Sequence, residues 1–262
     1  MKRRFWCELT SSDFNGIDAE RTIAVLPVAA IEQHGPHLPV GTDTIIAEGM
    51  IATAIDQFPP ELDVFFLPVQ AIGKSNEHLK WRGTVTLTAE TALRAWVEIG
   101  EAVNRAGIRK FVFINSHGGN TDLIGIATRE LRVRFEMLAV PTHWMRFGYP
   151  PGLYDEKEIA HGIHAGDIET SLMLHFRPDL VKQDEIGNFV PASIAMAEEF
   201  KRLRASAPHA FAWMAQDLNA GGAIGDARQA RAEKGALTAA HQASGFIELL
   251  RDITAFSLDR LS

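Results

Sequence analysis

The chain predicts an α/β fold, a mostly parallel sheet flanked by helices on both faces in a three-layer sandwich. Three observations carry this expectation. Short apolar runs of strand length alternate with stretches whose apolar residues recur on a 3.6-residue period. Glycine and proline punctuate the changes between them. Strands that alternate with helices in sequence pair in parallel, with the helices forming crossovers that cover the sheet.

The elements follow in order. "TIAVLPVAAI" (22–31) reads as a first, buried strand and "TIIAEGMIATAIDQF" (44–58) as a helix. Pro59-Pro60 breaks that helix before a second strand, "DVFFLPV" (63–69). "TALRAWVEIGEAVNRAG" (91–107) places Leu93, Trp96, Val97 and Val103 on one face and stops at Gly107, suited to the residue just past a helix end. "KFVFI" (110–114) is a third strand, "DLIGIATRELRVRF" (122–135) a helix, and "EMLAVPT" (136–142) a fourth strand. Beyond residue 150 the pattern loosens. "PPGLYDE" is a loop, "AGDIETSLMLHF" (165–176) a short helix, 178–222 turns with short helical pieces, and 227–256 a long helical tail. The tail's Leu249, Leu250, Ile253 and Phe256 suit either the core or a subunit contact. There is no repeat, low-complexity tract or clear linker, so residues 1–262 are expected to form a single domain.

Composition narrows the function. A formal charge of −7 argues against a nucleic-acid-binding surface, which needs a basic face. Cys7 is the only cysteine, so no intrachain disulfide can form, which suits a reducing compartment. The N-terminus "MKRRFWCELTSSDFNG" has the positive start of a signal peptide but not its apolar stretch. No run of about 18 apolar residues exists to span a membrane. A cytoplasmic location is the expectation.

In open parallel sheets, ligands bind beyond the carboxyl ends of the strands. After the first strand come Glu32, His34, His37 and Asp43; after the second, Ser75, Glu77 and His78; after the third, Asn115, His117 and Asn120; after the fourth, His143. Four distant segments thus deliver imidazole or carboxylate groups to one sheet edge. Residues i and i+2 of an extended segment point the same way, so Glu32 and His34 can face one ion. Asp43, returning across the Gly35-Pro36 turn, can reach the same point and bridge two cations, and His117 arrives on a glycine-containing loop. A His and carboxylate set without thiolate suits Zn²⁺, Mn²⁺ or Fe²⁺, and carboxylate-rich sets favour two ions holding a hydroxide. Structural roles compete at each position. Thr42 or Asp43 can cap the following helix, and "NSHGGN" can serve as an anion-binding loop. His37, Glu77, His78 and His143 have no assigned role.

Four blocks, "EQHGPHLPVGTD", "SNEHLKWRGTVTL", "NSHGGN" and "HAGDIETS", resemble in order and spacing the signature blocks of the creatininase family, and the likeness runs on to "GGAIGDARQARAEKG" (221–235). The resemblance implies an α/β fold with two divalent metal ions per chain, zinc first and manganese or iron as alternatives, and hydrolysis of amide bonds in cyclic or formyl-type small molecules. It implies Glu32, His34, Asp43 (bridging), His117 and Glu169 as metal ligands, His164 as the proton-transfer residue, and Ser75 as a substrate contact. Creatinine-hydrolysing members carry Tyr-Glu after the third-block histidine, the Glu being a ligand. Here Gly118 and Gly119 stand there, beside the substrate, so Glu169 must complete the second site and another branch of the family is implied. Family members are often hexamers, so a homo-oligomer is expected. The mechanism expected is a bridging hydroxide attacking an amide, lactam or formamide carbonyl while His164 protonates the leaving nitrogen. Alternatives are hydrolysis of a keto, cyclitol or lactone substrate, and a non-catalytic metal- or nucleotide-binding module. Specificity is expected in 144–163 and 185–215, where Trp144, Phe147, Tyr149, Tyr154 and Trp213 can line a pocket or pack loops.

Overall fold

A computed structural model describes residues 3–261. The sheet has four parallel strands, β1 (Ile23–Val28), β2 (Val64–Phe66), β3 (Lys110–Asn115) and β4 (Leu138–His143), in the spatial order β2-β1-β3-β4. β1 and β3 run in step from Ile23 beside Lys110 to Val28 beside Asn115, and β3 and β4 from Lys110 beside Leu138 to Asn115 beside His143. Three strands therefore end at one level. This strand order reverses direction between β1 and β3, and there the crossovers diverge and leave a crevice.

Alternation along the strands divides the core. Ile23, Val25, Val64, Phe66, Val112 and Ile114 face α1 (Thr42–Asp56), α5 (Asp167–Phe176) and α8 (Ala232–Ala255), packing on Met50, Met173, Phe246 and Leu250. Ala24, Leu26, Val28, Phe111 and Phe113 face α2 (Ala89–Arg105) and α3 (Thr121–Phe135), packing on Trp96, Val103, Ile124 and Leu131. Covering on both faces explains why β1 reads as one unbroken apolar run. The smaller elements α4 (Glu156–His161), α6 (Ala192–Glu199), α7 (Ala215–Leu218) and the antiparallel pair β5 (Asn188–Phe189) and β6 (Gly225–Asp226) lie beyond β4 in the chain.

Element boundaries shift for local reasons. The first strand leaves its ladder at Val28, three residues early, though Ala29 and Ala30 stay fully buried. The second shortens to three residues ahead of Pro68. The fourth starts at Leu138 because Glu136 closes α3 in the left-handed region (φ 55°). The tail helix begins at Ala232 because Ala227–Gln229 forms a separate 3₁₀ turn. α2 starts early, capped by the Thr88 side chain, and Gly107 at φ 89° follows its end as expected. Neither Thr42 nor Asp43 caps α1. Gly41 holds the cap position without a side-chain bond, the Thr42 hydroxyl donates to the Pro39 carbonyl, and Asp43 sits inside the first turn with its carboxylate buried. Among the described residues no helix is long and apolar enough to cross a membrane.

Candidate metal centre

The crevice gathers the carboxylates and imidazoles that follow β1, β2 and β3, with His164 from the loop before α5 and Glu169 from the first turn of α5. Glu32, His34, His78, His117 and His164 are all at least nine-tenths buried, as is Asp43. Asp43 lies between two half-sites. Its Oδ1 is 3.3 Å from His34 Nε2, and its Oδ2 is 3.3 Å from His117 Nδ1. Glu169 Oε2 completes the first half at 3.9 Å from His34 Nε2, and Glu32 Oε1 the second at 3.2 Å from His117 Nδ1. Donor atoms of His34, Asp43 and Glu169 all lie within 4.8 Å of one another, the spacing of ligands around an ion. Those of Glu32, Glu77 and His117 meet the same limit, but Glu77 stands on the outer, Nε2 side of the His117 ring, opposite Glu32 and Asp43.

The outer nitrogens decide what the inner ones do. A carbonyl only accepts, so a ring nitrogen bonded to one must carry its hydrogen. His34 Nδ1–H donates to the Glu32 carbonyl (3.0 Å), His117 Nε2–H to the Lys74 carbonyl (2.9 Å), and His164 Nε2–H to the Gln33 carbonyl (2.6 Å). Each ring thereby turns its other nitrogen toward carboxylate oxygens, which are acceptors as well. His34 Nε2, Glu32 Oε2 and Asp43 Oδ2 have no hydrogen-bond partner although buried. Acceptors facing acceptors in a buried site require a positive charge between them, a proton or a metal cation. Histidines anchored at the outer nitrogen by a carbonyl are the arrangement found around metal ions. The residues present fit a divalent cation pair.

The electrostatics agree. Burial alone would lower the His34 imidazole, but Asp43, Glu169 and Glu32 raise it to about 9. His117 is likewise held well above its ordinary value by Glu32 and Asp43 against the cost of burial. Asp43 is held far below the usual carboxylate range by His34 and His117 despite its burial. Burial lifts Glu169 to about 7, although His34 opposes it. Burial pushes His164 well below its ordinary value, helped by His34 and His78. The site without metal thus stores positive charge as protons on His34 and His117 and keeps His164 neutral.

The remaining candidates divide. The Ser75 hydroxyl is fully buried, 3.2 Å from His117 Nε2. Gly118 has open space where a side chain would stand, whereas a Cβ on Gly119 would strike Glu77, His117 and the Lys74 carbonyl. His143 does not join the cluster, because its Nδ1 accepts the Met145 N–H and holds the turn after β4. His37 is fully buried, its Nε2 on the Thr170 hydroxyl (2.9 Å) and its ring stacked on Phe189, so it braces the helix that carries Glu169. Of the five aromatic residues, Trp144 and Tyr149 line a small cavity of about 40 Å³ beside Glu169. Tyr154 lines a larger cavity of about 730 Å³ and bonds Thr238, whereas Phe147 packs on Phe246 and Trp213 donates to the Ala205 carbonyl.

Gln33 is the residue the sequence did not single out. Its side-chain amide donates to His78 Nδ1 (2.8 Å) and the Gly222 carbonyl (3.0 Å), while its backbone carbonyl anchors His164. His78 then presents Nε2–H to Glu32 Oε1 at 3.4 Å. An uncharged amide between Glu32 and His34 carries no chemical signal of its own. Only the alternation that sets its side chain apart from its neighbours' hinted at a separate role. Glu158 is a second omission. Both its oxygens accept backbone N–H groups, of Asp167 (2.7 Å) and Asp226 (3.1 Å), and so fix the loop before α5.

A doubly wound sheet with a buried His and carboxylate cluster at its switch point fits the class of metal-binding α/β proteins. Comparison with known proteins refines this. The family profile described as Creatininase: Creatinine amidohydrolase matches residues 7–250, and the chain belongs to that family. It is 32% identical over 233 residues to the mycofactocin precursor peptide peptidase of Mycolicibacterium smegmatis, covering 87% of this chain and 84% of that one. It is 28% identical over 268 residues to the creatinine amidohydrolase of Pseudomonas putida, covering 96% and 97%. A solved creatininase variant described as Zn-Zn type superposes with a TM-score of 0.76 at 25% identity, covering 98% of this chain and all of that one.

Proposed function

We propose that this chain hydrolyses an amide C–N bond at a dinuclear metal centre, with Glu32, Asp43 and His117 holding one ion and His34, Asp43 and Glu169 the other. The observation that carries the reading is the pair of outward-anchored imidazoles on either side of Asp43, each aiming a nitrogen at a different oxygen of that carboxylate. Bound divalent ions would supply polarisation of the substrate carbonyl and a water acidified from 15.7 toward about 7.

The chain's own groups do the rest. His164 is held neutral, with Nε2–H fixed on Gln33 and Nδ1 turned inward 3.6 Å from Glu32 Oε1. It is set to take a proton at Nδ1 from the attacking water and return it to the leaving nitrogen. This refines the expectation of a simple general acid, since an imidazole held neutral must first act as a base. Gln33 prevents the ring from flipping. A small cyclic or formyl amide is the first substrate reading, supported by the 28% identity to a protein named as a creatinine amidohydrolase. A second reading, cleavage of a peptide amide, is favoured by the 32% identity to a protein named as a peptide peptidase. Zinc-loaded protein incubated with formamides, lactams and short peptides tests both. Release of formate or a ring-opened acid supports the first reading and release of amino acids the second. Release of neither, with hydrolysis of lactones instead, overturns amide hydrolysis.

A further inference from the structure

His117 Nε2–H is surrounded by three acceptors rather than one: the Lys74 carbonyl at 2.9 Å, the Ser75 hydroxyl at 3.2 Å and Glu77 Oε1 at 3.3 Å. Two are neutral, and the Lys74 carbonyl alone suffices to orient the ring. Glu77 adds a charge. Its side chain is 16% exposed, so little water screens it. The neighbouring backbone is shaped around it. A Cβ on Gly119 would collide with Glu77 Oε1, the Lys74 carbonyl and His117 Nε2. Gly119 is at ordinary backbone angles, so its lack of a side chain serves this close approach and not a turn.

We infer that Glu77 is a positioning residue of the metal centre, its carboxylate acting through His117 to strengthen that ring as a ligand, and that Gly119 is the opening that admits it. The carboxylate lies on the face of the ring away from the ion, so it raises the electron density of Nδ1 by stabilising the hydrogen on Nε2. His117 therefore belongs to a carboxylate–histidine–metal relay on one half-site only. His34, whose outer nitrogen meets a neutral carbonyl, has no such support. The two halves are unequal by construction, and the His117 half should bind more tightly.

The inference rests on the dinuclear reading, and a zinc titration of metal-free protein separates the two. With a chromogenic chelator as competitor, and native mass spectrometry for the count, the wild type should take two zinc ions in two steps. Glu77→Gln keeps an oxygen near Nε2 but removes the charge. It should weaken the tighter step about 10- to 100-fold and leave the weaker step unchanged. Gly119→Ala should give the same selective loss by displacing the carboxylate, and the double variant should be no worse than either single one. A wild type that takes no zinc overturns the centre itself and the inference with it. Two wild-type steps in a folded Glu77→Gln protein overturn the inference alone. So does equal weakening of both steps, or additive losses in the double variant. Should Gly119→Ala fail to fold, as a thermal melt would show, Glu77→Gln decides by itself.

Discussion

Removing metal from this site and restoring it at controlled pH tests the electrostatic account most directly. Without metal, His34 has a pKa of about 9 and His117 lies well above its ordinary value, so both rings are charged at pH 7.5. A metal ion needs the same inward nitrogens unprotonated. Loading both half-sites must therefore expel roughly two protons, plus a minor fraction from Glu169, whose pKa is about 7. Each proton released makes the affinity rise about tenfold per pH unit, so the product of the two binding constants should rise roughly 100-fold from pH 7 to 8, or ~2.7 kcal/mol. Zinc titration calorimetry at pH 7.5 in buffers of different ionisation heat gives the proton count as a slope. The metal-free protein should respond to pH in the opposite sense. His34 has a folded pKa above its unfolded value, so its contribution is fully present below about 6.5 and is lost as pH rises through about 9. For this ring alone the loss is about 3 kcal/mol. Expulsion of fewer than one proton, or a metal-free protein equally stable at pH 6.5 and 9, would refute the charged-histidine account.

Other predictions follow from single contacts. Asp43→Ala should abolish tight binding of both ions, because it faces both half-sites; two retained ions by metal analysis would sink the bridging assignment. His164→Ala should keep its metal and its KM while kcat falls at least about 100-fold, the usual scale of acid–base catalysis. Glu158→Gln places an NH₂ group against one of two backbone donors and should cost about 1–3 kcal/mol. In a chain of this size that lowers Tm by several degrees, and an unchanged melting curve would contradict it. Lys110→Met strands the Thr254 and Phe256 carbonyls at the end of α8, with a loss of similar size in urea unfolding.

How far the sequence reveals this depends on what kind of signal each feature leaves. Strand identity survives because burial on both faces forces an apolar run, and β1 carries that run whatever its neighbours do. Strand ends do not, because Ala29 and Ala30 are as buried as Val28 and differ from it only in hydrogen bonding. Asp43 was ambiguous for a similar reason. A carboxylate in a first helical turn is favourable whether or not it also reaches a site, and only the backbone shows that Gly41 takes the cap position. The residues with charge or imidazole chemistry announced the edge of the sheet, but not which of them aim inward. His37 and His143 are as prominent in sequence as His34 and His117, and the structure turns one toward Thr170 and the other toward its own turn.

The deeper reason is that ligand choice here is made by backbone carbonyls, which every sequence supplies and none displays. Glu32, Gln33 and Lys74 each offer a carbonyl to an imidazole, and each such bond fixes which nitrogen is free. The three carbonyls come from the loops after β1 and its neighbour β2, beside the switch point between β1 and β3. A site built elsewhere on the sheet would lack that convergence of loops. His164 comes from the loop ahead of α5, where Ala165 adopts φ 53°. A non-glycine residue in the left-handed region costs about 1–3 kcal/mol and persists where its surroundings impose it. Here the Ala165 N–H is held by Glu169 Oε2 at 2.5 Å. The turn thus points His164 into the crevice while the Ala165 amide steadies the Glu169 carboxylate beside His34. On the proposed reading a change at Ala165 should therefore disturb His164 and Glu169 together, lowering kcat and metal affinity in one variant.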